Sequence, residues 1–199
     1  MSNDALARFL GELARLVAQE DRPEAQATAD ALRHGPAVLP GPQAPCSHDA
    51  EIRRLAATPG GTEAARLLLA AQDRIPWGVN PVVHLDSTAL ANSRAVAALV
   101  GPDGPIRSDD LLFGLFYQQP QSYYPLHDHE ADETYMILAG SVTWTAGEDC
   151  RLRHPGEAIH HPRRMPHAFR TGPEGFLAFW RWSGDIRAET YRMLPDPDA

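Results

Sequence analysis

The chain carries nine histidines, and six of them, His127, His129, His154, His160, His161 and His167, fall between positions 127 and 167. The densest stretch is His127-Asp128-His129-Glu130-Ala131-Asp132-Glu133-Thr134-Tyr135, followed by Gly140. Alternate side chains of a strand point to one side, so two imidazoles one residue apart share a face. A carboxylate four residues later can return to that face after a tight turn. With a third imidazole from another strand, three nitrogen donors and one oxygen suit a divalent transition metal with positions open for substrate. Zinc, iron, manganese, cobalt and nickel all accept such a set.

Tyr135 stands two residues beyond Glu133 and shares its face, so it should point into the metal cavity as ligand or base. Tyr124 lies three before His127, an offset that puts the two on opposite faces of a regular strand. Pro125 makes a regular strand there unfavourable, and an irregular approach could turn either Tyr123 or Tyr124 inward. Farther on, Trp180 and Trp182 share one face of an aromatic run while Phe179 takes the other. Alternation also turns one of His160 and His161 inward. Arg163-Arg164 could anchor an anionic group, or stand as exposed charge beside a turn.

The elements that must position these groups divide the chain in two. Up to about residue 75 the texture is helical. From Asn3 to Gln19, Leu6, Phe9, Leu10, Leu13, Leu16 and Val17 recur at spacings of three and four and form one apolar stripe. A second helix should begin at Pro23 and stop near His34, before Gly35-Pro36. A proline-rich connector over 36–46 precedes shorter helices at Ser47–Ala57 and Thr62–Gln72. From Ile75 onward short runs rich in Val, Tyr, Phe, Trp and Thr predict strands at Pro81–Leu85, Ala95–Val100, Leu111–Gln118, Glu133–Leu138, Val142–Thr145, Glu157–His160 and Phe176–Trp182. Many short strands indicate an antiparallel sandwich or small barrel. The expected organisation is a helical extension over residues 1–75 packed on a β-barrel domain over 76–199. That helical segment could also wall off the metal cavity and exclude water.

With 18 Lys+Arg against 26 Asp+Glu among 199 residues, the formal charge of −8 argues against a nucleic-acid surface and against an anionic membrane. No apolar run is long enough to span a bilayer. Asp4, Arg8, Glu12 and Arg15 interrupt what a signal peptide would keep apolar, so a cytoplasmic location is expected. Cys46 and Cys150 are far apart and signal neither a disulfide framework nor a cysteine zinc site.

His127-x-His129-x3-Glu133-x6-Gly140 resembles the first cupin motif, and Gly156-x5-Pro162-x-Arg164-x2-His167 resembles the second. Gln121 stands where the first motif begins with Gly, Arg164 replaces the inner Gly of the second, and Thr171 replaces its final Asn. The resemblance implies a mainly β fold, a small antiparallel barrel or jelly roll, with His127, His129, Glu133 and His167 as metal ligands. Tyr124, Tyr135, Ser183-Gly184-Asp185 and the helical N-terminal region are, more specifically, similar to the cupin-type dimethylsulfoniopropionate lyases and lyase-like cupins. Membership there implies a divalent metal and cleavage of dimethylsulfoniopropionate to dimethyl sulfide and acrylate.

Such chemistry needs a proton removed beside a carboxylate while a sulfonium departs from the β-carbon. A metal on the carboxylate would stabilise the developing charge, and a base must reach the α-proton. Tyr135 and Tyr124 are the candidates for that base, the resemblance favouring Tyr124 over Tyr123 as the inward residue. The sulfonium end needs a ring face, for which Trp144, Trp180, Trp182 or Tyr123 could serve, and His161 is a further candidate substrate contact. The partner is therefore a small zwitterion, and a homodimer is an expectation by fold analogy. The same donors would serve a metal-dependent dioxygenase or isomerase on another small carboxylate, or a non-catalytic binding cupin.

Overall fold

The computed structural model describes residues 2–38, 40–78, 82 and 87–196. Four helices come first: α1 (Ser2–Val17), α2 (Pro23–His34), α3 (Asp49–Ala56) and α4 (Glu63–Ala71). A fifth, α5 (Thr88–Asn92), leads into the sheets. The strands are β1 (Arg94–Gly101), β2 (Ile106–Arg107), β3 (Leu111–Gln118), β4 (Tyr123–Asp128), β5 (Ala131–Ala146), β6 (Asp149–Arg153), β7 (Ala158–His161), β8 (His167–Gly184) and β9 (Arg192–Met193). The strand expected at Pro81–Leu85 lies, apart from Val82, outside the described residues.

Strands β5 and β8 pair antiparallel over almost their whole length, from Ala131↔Gly184 to Ala146↔His167. The register shifts around Gly140, and there one continuous nine-stranded sheet folds over on itself, the two halves of each strand taking different neighbours in its two layers. One layer, the first sheet, runs β2-β1-β3, then the second half of β8, the first half of β5, and β7. The other, the second sheet, runs β9-β4, then the first half of β8, the second half of β5, and β6. Only glycine suits the crossing point: Gly140 has φ 76°, and a Cβ there would sit 2.2 Å from the Gly175 carbonyl oxygen. The result is the jelly roll that the resemblance to the cupin motifs implies.

Side chains from both sheets meet inside, among them Phe116, Ile137, Trp144, Phe169, Phe176 and Trp180. The helices cover the outer face of the first sheet, where Phe9, Leu13, Ile52, Leu55 and Leu68 pack on Leu115, Tyr117, Leu177 and Phe179. Each such buried side chain contributes roughly 1.5–3 kcal/mol relative to exposure. Polar ties reinforce this layer. Fully buried Arg181 donates through Nη2 to both Glu20 oxygens at 2.9 and 3.1 Å, and Thr134 donates to Glu20 at 2.8 Å. The helical layer therefore lies behind the sheet, and among the described residues α1–α4 contribute no side chain to the cavity between the sheets. Among the described residues, no helix is long and apolar enough to cross a membrane.

Strands β2, β4, β6 and β9 and the first half of β8 escaped the hydrophobic pattern. Strands β2 and β9 are two residues each; in β4, Pro125 and the polar His127-Asp128 end break the alternation, and β6, Asp-Cys-Arg-Leu-Arg, pairs among the described residues with β5 and exposes most of its side chains. The runs expected at Glu133–Leu138 and Val142–Thr145 are the two halves of β5.

Candidate metal centre

His129, Glu133 and His167 come together between the sheets, each buried and with one donor atom of each within 4.8 Å of the others. Glu133 pairs with Trp182 of β8 on one side and His161 of β7 on the other. The bend linking β4 to β5 carries His129, and His167 opens β8. His127 lies directly across the β4–β8 pair from His167, their ring centroids 4.0 Å apart, although its donor atom is outside the 4.8 Å set.

Each of these imidazoles is oriented by its own neighbourhood. Nδ1 of His127 donates to the Pro125 carbonyl (2.8 Å), that of His129 to Ala131 (3.0 Å), and that of His167 to Met165 (2.9 Å). In the neutral ring this leaves Nε2 as a lone pair, the arrangement that metal-binding histidines adopt. Yet Nε2 of His129 and of His167 lie 3.3 and 3.1 Å from the same Glu133 oxygen, Oε2. His167 Nε2 is buried and has no hydrogen bond of good geometry. Lone pairs facing a carboxylate in a dry site need a cation between them, so these residues fit a divalent metal.

Glu133 is itself held. Trp182 Nε1 donates to Oε1, and His161 Nδ1 donates to Oε2 at 3.1 Å. The tautomer of His161 follows from Trp144, whose Nε1 donates to His161 Nε2 at 2.9 Å. Burial, followed by the nearby His167, lowers His161 to about 3, so it is a neutral donor at ordinary pH. Burial and then His167 also hold His127 well below the usual imidazole range. Burial pushes the Glu133 carboxyl up; when the facing His129 is protonated in place of a bound cation, its charge and the hydrogen bonds from His129, His161 and His167 outweigh burial and hold Glu133 well below the carboxylate range.

The cavity over this cluster is walled by Val82, Arg94, Val96, Phe116, Tyr124, His127, His129, Glu133, Tyr135, Trp180, Trp182 and Tyr191. Tyr135 is buried beside Glu133 and Trp180, and burial followed by the Glu133 charge raises its phenol well above 10. Tyr124 reaches the same cavity through an irregularity in β4. Tyr124 pairs with Phe169 and His127 with His167, so three steps on β4 span two on β8. The extra residue turns both side chains to one face despite their odd spacing.

Other expected contacts fall elsewhere. Tyr123 faces away from the cavity: its hydroxyl donates to Asp196 (2.7 Å), and Arg170 covers its ring. That is the alternation from Tyr124. His161 lies behind Glu133 and does not line the cavity, and Trp144 stands behind His161. The Arg163 and Arg164 guanidiniums turn outward, to Glu130 and, for Arg164, to Asp128 as well.

Two cavity residues escaped the sequence reading. Arg94 is buried with its guanidinium 4.2 Å from the Tyr124 ring centre. Its only sequence signal was a charge opening the apolar run 95–100. Tyr191 comes from the C-terminal segment, where no periodicity marks it. Its ring stacks on those of His127 (5.0 Å, 21°) and His129 (5.9 Å, 23°), and its hydroxyl meets that of Tyr124.

The departures from the cupin motifs coincide with backbone strain. Gln121 (φ 52°) and Arg164 (φ 60°) are the non-glycine residues with positive φ among those described, and they occupy the two positions where the motifs have Gly. Each costs about 1–2 kcal/mol in that conformation. Thr171, in place of the motif's Asn, donates to the Gln119 carbonyl at 2.7 Å and so ties β8 to the β3–β4 turn.

Comparison with known proteins places the chain. Dimethylsulfoniopropionate lyase DddQ of Ruegeria pomeroyi is 39% identical over 105 residues, 52% of this chain and 51% of that protein. The putative dimethylsulfoniopropionate lyase DddL of Cereibacter sphaeroides is 32% identical over 98 residues, 48% of this chain and 41% of that protein. These alignments span about half the length of the first relative and less of the second. The crystal structure of DddQ from Ruegeria pomeroyi superposes with a TM-score of 0.64 at 28% identity, over 92% of this chain and 93% of that one. A chain from the crystal structures of the lyases RdDddP and RnDddQII shares the fold, with a TM-score of 0.68 at 23% identity over 98% of this chain and 100% of that one. The dimethylsulfoniopropionate lyase family profile matches residues 45–178, about two thirds of the sequence, and the chain belongs to that family.

Proposed function

We propose that the protein is a metal-dependent carbon–sulfur lyase that cleaves dimethylsulfoniopropionate to dimethyl sulfide and acrylate by β-elimination. The observation that carries this reading is the convergence of His129 and His167, each with Nδ1 tied to a backbone carbonyl, on Glu133 beside Tyr135 in an aromatic cavity. His127, His129, Glu133 and His167 would hold the metal. Bound there, a divalent transition ion supplies Lewis acidity toward the substrate carboxylate.

The protein groups account for the rest. Tyr135 takes the α-proton onto its phenolate oxygen. The C–H electron pair becomes the new C=C bond, and the C–S bond breaks with its pair leaving on dimethyl sulfide. Burial and the Glu133 charge hold the Tyr135 phenol protonated on their own, so its action as a base depends on positive charge in the same cavity. Arg94 already acts in that direction on both Tyr135 and Tyr191. Tyr124 stands as the alternative base, because it lines the same cavity. Trp180 and Trp182 present adjoining ring systems for the sulfonium. Closely packed aromatic walls keep competing water out.

The test is release of dimethyl sulfide and acrylate, in equal amounts, by protein loaded separately with zinc, iron, manganese, cobalt and nickel. Oxygen consumption with other small carboxylates and no dimethyl sulfide would favour a dioxygenase instead. Tight binding of dimethylsulfoniopropionate without product would indicate a binding protein.

A further inference from the structure

Tyr191 forms the side of the cavity that faces His127 and His129, yet the segment bearing it has little regular structure to hold it. Among the described residues it holds one 3-10 turn, Ala188–Thr190, and one ladder, β9, two residues paired with His127 and Asp128. Besides the Glu130 N–H bond to Thr190 Oγ1 (3.2 Å), the Leu194 N–H bond to the Leu126 carbonyl (2.8 Å) and the Tyr191–Tyr124 hydroxyl contact, the segment is held by a set of charged contacts at Arg164 and Asp128. Arg164 Nη1 donates to the Thr190 carbonyl at 2.8 Å, immediately before Tyr191, and to Asp128 Oδ1 at 2.7 Å. Arg192, immediately after Tyr191, donates to both oxygens of the same Asp128 at 3.0 and 2.7 Å. Arg164 Nε donates to Glu130 at 2.8 Å, and its backbone N–H donates to the His129 carbonyl at 2.8 Å.

One side chain thus joins the loop carrying His129, the turn leading to His167, and the segment carrying Tyr191. It does so from a left-handed backbone position that glycine would occupy without strain. A strained arginine retained where a relaxed glycine would complete the turn points to a role for the guanidinium itself. Its planar fork can serve Asp128, Glu130 and Thr190 together, which the single ammonium of lysine cannot reproduce. We propose that Arg164 is a positioning residue that clamps the 187–193 segment and so holds Tyr191 as the wall of the metal cavity against His127 and His129.

Arg164→Gly separates the two effects, because it relieves the backbone while removing the clamp. Hydrogen–deuterium exchange on the full-length chain should show at least tenfold faster exchange across 187–193, with β5 and β8 unchanged. Trypsin cleavage after Arg187 or Arg192 should accelerate to a similar degree. Arg164→Lys keeps the charge and the strained backbone, and should show the same local loosening; it also serves if the glycine variant does not fold. Exchange in 187–193 at the wild-type level in either folded variant would overturn the proposal, as would loosening spread equally through β5 and β8. These readouts need neither metal nor substrate, so their failure is distinct from failure of the lyase reading. On that reading, Arg164→Gly should raise KM for dimethylsulfoniopropionate about tenfold or more with a smaller change in kcat, and should have no further effect in a Tyr191→Ala background.

Discussion

Trp144 donates its indole N–H to Nε2 of His161 at 2.9 Å, and through that bond it settles which nitrogen of His161 faces Glu133. With Nε2 accepting, Nδ1 carries the hydrogen and donates to Glu133 Oε2. The rings of Trp144 and His161 are nearly parallel, 13° apart, so packing and hydrogen bonding enforce one orientation. An aromatic residue of the core therefore reaches the candidate metal ligand Glu133 through two hydrogen bonds.

Trp144→Phe should accordingly weaken metal binding while leaving all four candidate ligands in place. Groups that orient a ligand typically matter by about 10–100-fold in affinity, and a loss in that range is expected here. His161→Gln, which can still donate to Glu133, should lose less than His161→Leu. Competition with a chromogenic chelator measures both series. His129→Ala should go further and abolish stoichiometric binding, and a His129→Ala protein that kept one tight metal would remove His129 from the ligand set.

Tyr135→Phe should reduce dimethyl sulfide formation by roughly 100- to 10,000-fold, the usual contribution of a positioned acid or base, with metal content unchanged. Tyr124→Phe removes the hydroxyl that meets Tyr191 and should lower kcat less than Tyr135→Phe. Steady-state assays paired with elemental analysis separate loss of chemistry from loss of metal. Full activity in both variants would leave the reaction without a tyrosine base.

Replacing Gln121 with Gly should stabilise the protein. Gln121 is exposed and strained at φ 52°. Relief of about 1–2 kcal/mol in the native state is partly offset by the roughly 0.5–1 kcal/mol that glycine's freedom costs on folding. A net gain of up to about 1.5 kcal/mol corresponds to at most roughly 3–6 °C in Tm for a chain of this size. Thermal unfolding followed by circular dichroism gives the answer, and a lower Tm would mean that the Gln121 side chain contributes more than the strain costs.

Asp128 makes stability depend on acid. Burial pushes its carboxyl up, but hydrogen bonds from Arg192 and Arg164 outweigh this and hold it below the usual range. The native state then binds fewer protons than the unfolded chain as pH falls through the ordinary carboxylate value of about 3.9. Its stabilising contribution is complete above that value and is lost as pH drops toward the lowered native one. Urea midpoints between pH 6 and pH 3 should fall more steeply for the wild type than for Asp128→Asn. The variant should also loosen the Tyr191 segment already at neutral pH, because Arg164 and Arg192 share that carboxylate.

The parts of the site readable in the sequence are those set by spacing along one strand. The alternation of a strand and a turn puts His127, His129 and Glu133 on a common face, and the same period of two puts Tyr135 beside Glu133. The helical stripe from Leu6 to Val17 is equally plain, because α1 buries one face against α2, α4 and the apolar layer they share with the sheet. Pro125 announced an irregular β4, but local rules could not choose between Tyr123 and Tyr124. The register of β4 against β8 made that choice.

What spacing could not convey is contact between segments far apart in the chain. Tyr191, Arg94 and the Trp144–His161–Glu133 chain of hydrogen bonds join residues with no common period, so no local pattern marks them. Arg164 read as a missing glycine beside a turn. Only in the folded chain do Asp128, Glu130 and Thr190 surround it. The sequence alone determined the donor types, their strand periodicity and an antiparallel sandwich or barrel to carry them, since these follow from local geometry and patterned burial, and the resemblance to the cupin motifs narrowed that to a jelly roll. The tertiary structure decided which lone pairs converge, which tyrosines share the cavity and what holds its C-terminal wall, because each depends on register and packing between strands that the chain brings together only on folding.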